Sequence, residues 1–384
     1  MSKYHSYLNS AEKVIKSYQG QEPLSSYLKK FFANNKKYGS KDRKQIGQLC
    51  YSYFRPGKSL EALSIQEKLL AGLYLSSQQP NELLQELKPD WNESITDTVS
   101  AKFKKIENAA TLNAVFPWQD ALSGGIDHLE YCESFFHQPD LFVRLRPGYE
   151  LKAAVLEERG AQKLSPTSFA LTNTTKVDEF LSIDKEVVIQ DYSSQQIAEP
   201  IRKVGEALKG KIKFWDCCAA SGGKSILAKD VLGTVDITVS DIRESILANL
   251  RNRFERAGIR DYSSFVRDLT ADGKKAPQQY PFVICDAPCT GSGTWSRTPE
   301  QLYFFSTEQI DSFQQLQKKI VNSAIPSVSK GGYFLYITCS VFRKENEDIV
   351  ESILKQSHLS LLEKKIYPGY SLKADSMFAA LFTA

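Results

Sequence analysis

No apolar run in this chain approaches the roughly 18 residues that a membrane span needs, and nothing at its N-terminus reads as a signal peptide. The expected location is the cytoplasm, with no membrane partner. None of the seven cysteines forms a C-x-x-C pair. An odd number of cysteines without a secretion signal argues for reduced thiols rather than a disulfide framework. A zinc-binding structural protein is the opposing reading, in which Cys217, Cys218, Cys285, Cys289 and Cys339 converge. With no paired spacing, and because four thiols closed round an ion would block a ligand crevice, no metal is expected. The G-x-G-x-x-G dinucleotide pattern is absent too. So is the first glycine of a phosphate-binding P-loop, which would stand five residues before Gly223, where Cys218 is found. Dehydrogenase and NTPase chemistry thereby lose their usual supports, and no internal repeat or low-complexity tract stands out.

What is present is a globular composition, 42% hydrophobic and 24% charged, in a chain of 384 residues that is too long for one core. The net charge of +4 is unevenly placed. Residues 1–60 hold 12 Lys or Arg against three acids, which leaves −5 for the rest. Tyr4, Tyr7, Tyr18, Tyr27, Phe31, Phe32, Tyr38, Tyr51, Tyr53 and Phe54 lie among those charges. Cations neutralise phosphates and rings stack on bases, so the mixture suits RNA; a solvated helical face whose aromatics serve the core fits it equally well. Apolar spacing is helical to about residue 130, as in Ile46…Leu49-Cys50…Tyr53, and Ser40 reads as an N-cap. Three domains are expected: a helical RNA-binding domain over 1–135, a small α/β RNA-binding subdomain over 136–200 and a catalytic domain over 201–384. In the second, Arg144 and Arg146 flank Leu145 on one face of a strand, where they would hold phosphate or form a salt bridge.

From about residue 201, strand-like and helical stretches alternate as in a doubly wound, mostly parallel α/β sheet. Strands are expected at Ile212–Trp215, Ile237–Val239, Ser264–Val266, Phe282–Cys285, Tyr333–Ile337 and Phe378–Phe382. Such sheets bind ligands beyond the carboxyl ends of their strands. That edge receives Cys289 and Cys339, each just after a strand. It also receives three acids at successive strand ends, Asp241, Asp268 and Asp286. Between the first strand and its helix runs a loop of small residues, Cys218, Ala219, Ala220, Ser221, Gly222 and Gly223, then Lys224. A nucleoside without phosphates suits this set, and S-adenosylmethionine is such a ligand: its ribose wants an acid and its sulfonium tolerates negative charge. Each acid alone could be a helix cap, and each cysteine alone an ordinary core thiol.

The segments Cys218 to Lys224, Asp286 to Gly293 (DAPCTGSG), Gly331 to Ser340 (GGYFLYITCS) and Glu345-Asn346-Glu347 resemble the signature of the RNA 5-methylcytosine methyltransferases, the family typified by the bacterial Sun protein. The resemblance covers roughly residues 140–384. It implies a Rossmann-like methyltransferase domain that uses S-adenosyl-L-methionine. It also implies a covalent mechanism, in which a thiolate adds to carbon 6 of cytosine so that carbon 5 can take a methyl group. By resemblance Cys339 is the nucleophile, Cys289 helps release the product, and Asp286 contacts the base or shapes the cofactor pocket.

Ser221 stands where the family usually has Pro, Ser296 precedes Arg297 where a second Arg is common, and Ser376-Met377 replace a Gly-Phe pair. Arg297 joins Arg144 and Arg146 as a candidate RNA contact. Lys224 keeps its family position; otherwise it reads as a solvent-facing lysine at a helix start. The stretch from Tyr27 to Arg55 is loosely similar to the NusB-like helical RNA-binding domain of the small-subunit rRNA members. The chain ends soon after the last motif, so a further C-terminal RNA-binding domain is not expected. Ribosomal RNA is therefore the first expected partner and tRNA the second, with the assembling small subunit a further one and a monomer the expected state. A non-catalytic RNA-binding module that keeps the methyltransferase fold is the alternative of another class.

Overall fold

The computed structural model describes residues 2–271 and 278–384. They group into two compact units. One comprises Met1–Asp120, Asp127–Gln138 and Thr294–Ser306; the other comprises Ala121–Ile126, Pro139–Gly293 and Thr307–Ala384.

The first unit is helical, with long helices Lys3–Ser17, Leu24–Asn34, Ser40–Phe54 and Ile65–Ser76. Ser40 is the first helical residue rather than the cap. Gly39 caps, and Asp42 accepts its backbone N–H at 2.9 Å. The helices holding Ser52 and Gly72 approach so closely that a Cβ on Gly72 would lie 2.1 Å from the Ser52 carbonyl oxygen. Tyr18, Phe32, Tyr38, Tyr53 and Phe54 are buried in this bundle. Residues 294–306, which follow the DAPCTGSG motif, supply it with the helix Pro299–Phe304 and with the buried Trp295.

The second unit carries two sheets. β1 (Leu141–Leu145), β2 (Gln162–Lys163), β3 (Ser168–Leu171) and β4 (Val187–Ile189) form a small antiparallel sheet of order β2-β3-β1-β4. The larger sheet has seven strands: β5 (Ile212–Asp216), β6 (Val235–Asp241), β7 (Tyr262–Val266), β8 (Tyr280–Asp286), β9 (Val328–Thr338), β10 (Ser360–Pro368) and β11 (Ser376–Thr383). Their order is β10-β11-β9-β8-β5-β6-β7. β5 to β9 pair in parallel, and β11 runs antiparallel to both its neighbours.

The apolar runs that marked the central strands follow from burial on both faces. Along β8, Phe282 and Ile284 enter one core cluster while Val283 and Cys285 enter the other. The stretch expected as a separate subdomain is bound into this same unit. Val188 of β4 belongs to the main core, and Phe142 and Ala170 pack with Ala374.

Candidate active site

The site is built at the carboxyl edge of the large sheet. After β5 the chain turns sharply, with Ala220 at φ +46° and Gly222 at φ +84°. A Cβ on Gly222 would stand 2.7 Å from Phe254 Cε1, so both backbone and space demand glycine there. The helix Gly223–Leu232 begins at once. Ala220 N–H donates to Asp241 Oδ2 at 3.0 Å, tying the loop to the end of β6, while Asp241 Oδ1 accepts the backbone N–H of Arg243 at 3.0 Å. Beneath the loop Asp216 is fully buried and accepts from Ser225 Oγ at 2.6 Å; its Oδ1 has no hydrogen-bond partner. Burial pushes its carboxyl up to about 7.

This cradle suits a nucleoside. Small residues let a ligand approach the backbone, and carboxylates at strand ends accept from hydroxyls. Asp268 organises the turn after β7, accepting Thr270 N–H and Oγ1 at 2.8 and 2.6 Å.

Lys224 does not face solvent. It is buried, with Nζ 2.8 Å from Ser194 Oγ and 3.3 Å from Asp286 Oδ2. A cation removed from water needs such partners, and the pair joins the loop after β5 to the end of β8.

One step beyond Asp286, the two thiols of the sequence motifs meet. Cys289 Sγ and Cys339 Sγ are 3.4 Å apart, both half-buried. The hydrogen bond with Cys339 and then burial hold the Cys289 thiol well above its ordinary pKa. Glu345 fixes the two loops that carry them. Its carboxyl accepts Thr290 N–H at 2.9 Å and Thr290 Oγ1 at 2.6 Å from the first loop, Ser340 Oγ from the second, and Gln317 Nε2 at 3.0 Å. Burial raises its pKa. Asn346 holds the second loop from below, donating to Ser340 O at 2.9 Å and accepting Thr338 Oγ1 at 2.5 Å. Glu347 accepts Ser123 Oγ at 2.9 Å and Gly124 N–H at 3.1 Å. The sequence marked Glu345-Asn346-Glu347 and Ser292 only as parts of motifs, whereas Gln317, which also braces these loops, carried no signal.

The arginines expected at RNA are placed otherwise. Arg144 lies in β1 and Arg146 just beyond its end; both are buried, and both pair with the covered side chain of Asp230, at 2.8 and 2.7 Å. A face turned towards an internal carboxylate is closed to phosphate, so those two RNA contacts are withdrawn in favour of the salt bridge. Arg297 belongs to the helical unit and is partly buried.

The five thiols of the zinc reading divide into that pair and a trio. Cys217, Cys218 and Cys285 have their sulfurs within 4.8 Å of one another, and among the described residues no imidazole or carboxylate completes the set. Hydrogen bonds from Cys217 and Cys285 bring Cys218 down to about 5, whereas Cys217 is held protonated chiefly by burial.

Residues 207–379 match the family described as 16S rRNA methyltransferase RsmB/F. The match covers somewhat less than half of the chain. Curated relatives include ribosomal RNA small subunit methyltransferase B of Photorhabdus laumondii, 27% identical over 228 residues, 58% of this chain and 49% of the relative. Another is the probable ribosomal RNA small subunit methyltransferase B of Bacillus subtilis, 28% identical over 253 residues, 62% of this chain and 54% of the relative. The chain spans about half the length of these two relatives. Among solved structures, PH0851 aligns with a TM-score of 0.68 at 17% identity, covering 99% of this chain and 98% of its own. A methyltransferase homologue from Pyrococcus horikoshii aligns with a TM-score of 0.56 at 20% identity, covering 68% of this chain and 92% of its own. These likenesses establish the fold of the large sheet as Rossmann-like.

Proposed function

We propose that the chain is an S-adenosylmethionine-dependent RNA methyltransferase that makes 5-methylcytosine in small-subunit ribosomal RNA through a covalent adduct of Cys339. The observation that carries this reading is the 3.4 Å approach of Cys289 and Cys339 at the ends of β8 and β9. The cofactor is held by the loop Cys218–Gly223 with Asp241 and Asp268 beside it, and when bound it supplies an electrophilic methyl group.

The residues divide the remaining work. Carbon 5 of cytosine becomes nucleophilic once a thiolate has added to carbon 6. Cys289 is kept as a thiol by its neighbour and by burial. Attack is assigned to Cys339 by the resemblance of its segment to the family signature. Asp286, fixed by Lys224, faces the polar edge of the base. Loss of the carbon 5 proton to water then lets the Cys339 sulfur leave as a thiolate, and the Cys289 thiol assists that release by hydrogen bonding to it. Glu345 keeps both sulfurs in register throughout by bonding to Thr290 and Ser340.

Covalent trapping tests the assignment. Cys289→Ala, incubated with S-adenosylmethionine and small-subunit rRNA, should accumulate a protein–RNA adduct that survives denaturing electrophoresis. Cys339→Ala should form none. The reverse pattern would exchange the two roles, and no adduct with either variant would remove the covalent mechanism.

A further inference from the structure

Arg253, in the helix Glu244–Arg256, belongs to none of the sequence motifs, yet its guanidinium joins two parts of the α/β unit. Nε and Nη2 donate to Asp184 Oδ1 at 3.0 and 2.9 Å. Nη1 donates to the carbonyl and hydroxyl oxygens of Ser221 at 3.3 and 3.2 Å. Asp184 comes from the segment leading into β4 and is 1% exposed. Its other oxygen, Oδ2, accepts Arg256 Nε and Nη2 at 3.2 and 2.7 Å, and its carbonyl accepts Arg146 Nη1 at 2.9 Å. Asp184 is thus a fixed anchor, with both carboxylate oxygens engaged in charge-assisted bonds.

Ser221 lies between Ala220 and Gly222, both in left-handed backbone. A turn of that kind needs a restraint. A proline at this place would restrain it through its ring, and Ser221 has no ring to offer. Arg253 supplies two hydrogen bonds at that same residue.

We propose that Arg253, anchored on Asp184, is a positioning residue that holds Ser221 and so presets the 217–222 loop for S-adenosylmethionine. The small sheet then serves as a strut for the cofactor loop, a role that replaces phosphate binding by its arginines. The inference rests on the cofactor reading above.

Calorimetric titration with S-adenosylhomocysteine, alongside melting temperatures, tests it on the full chain. Arg253→Ala and Arg256→Ala each leave the buried Asp184 short of a cation, so both should melt lower. Only Arg253→Ala should weaken binding, by about tenfold, the worth of a hydrogen bond to a charged group. Adding Ser221→Pro to Arg253→Ala should recover most of that affinity. Arg253→Lys, which keeps a charge beside Asp184 but loses the fork, replaces the alanine variant if that one does not fold. Equal losses of affinity in the Arg253 and Arg256 variants, or wild-type affinity without Arg253, would overturn the proposal. Failure of the unaltered chain to bind at all would instead overturn the cofactor reading, and this inference with it.

Discussion

Asp216 shows how a single residue can serve a site at a cost to the fold. Its carboxyl is fully buried at the end of β5, bonded to Ser225 through one oxygen and to nothing through the other. Burial lifts its pKa to about 7, against roughly 3.9 for an exposed aspartate. A raised acid pKa means that the native state holds the proton more tightly than the unfolded chain. Stability should therefore fall as pH climbs from the unfolded value towards about 7, with the penalty full above it. Asp216→Asn keeps an acceptor for Ser225 and removes the charge. Its melting temperature should exceed that of the unaltered chain at about pH 8, by an amount reflecting a few kcal/mol, and the gain should shrink towards about pH 5. Calorimetric melts at both values check this. A variant that is equally or less stable at the higher pH would show that the carboxylate has a compensating partner. Nothing in the sequence distinguished Asp216 from other strand-end acids, because its cost depends on how deeply the next loop covers it.

Among the elements, the thiol loops depend on the close approach of backbones. A Cβ on Gly293 would stand 2.2 Å from Ser376 O and 2.9 Å from Cys339 O. Gly293 N–H also donates to Cys339 O at 2.9 Å, so the DAPCTGSG loop rests directly on the Cys339 backbone. Gly293→Ala should lower stability by a few kcal/mol, the range of an overpacked core site. Because it would separate the two sulfurs, it should also slow adduct formation more than the stability loss alone explains. Retained melting temperature with normal adduct formation would count against that close packing.

The same elements mark how far the sequence could be read. β8 and β9 were visible because both faces are buried, which made continuous apolar runs. β10 was not anticipated. It is an edge strand whose Glu363, Lys364 and Lys365 look like loop residues, and charge on an edge is what discourages further pairing. Cys289 and Cys339 could be placed at one edge from strand order. The Glu345 bonds to Thr290 that tie the first thiol loop to the second span 55 residues, and no local pattern reports such a pairing.

At the scale of the whole molecule, the basic N-terminal region resolves into two populations. All ten lysines among residues 2–60, together with Arg43, are exposed, whereas Arg55 is buried and donates to the carbonyl oxygen of Phe135 at 2.5 Å. Of the ten aromatics interleaved with them, five are buried and the others half-buried. The rings therefore serve the bundle, and stacking on bases loses most of its material. Charge remains. A surface that binds RNA by neutralising phosphates should show affinity that falls steeply with salt, because each contact releases counterions. Replacing Lys29, Lys36 and Lys44, all exposed, by Gln should reduce the slope of log K against log salt by up to about 0.7 for each contact to a single strand that is lost. Affinity for S-adenosylhomocysteine should not change, since these lysines belong to the helical unit and the cofactor loop to the other. Filter binding of small-subunit rRNA across a salt series measures the slope. If it is unaltered, the basic face of the bundle is a solvated surface, and recognition of the RNA must come from the unit that carries the thiols.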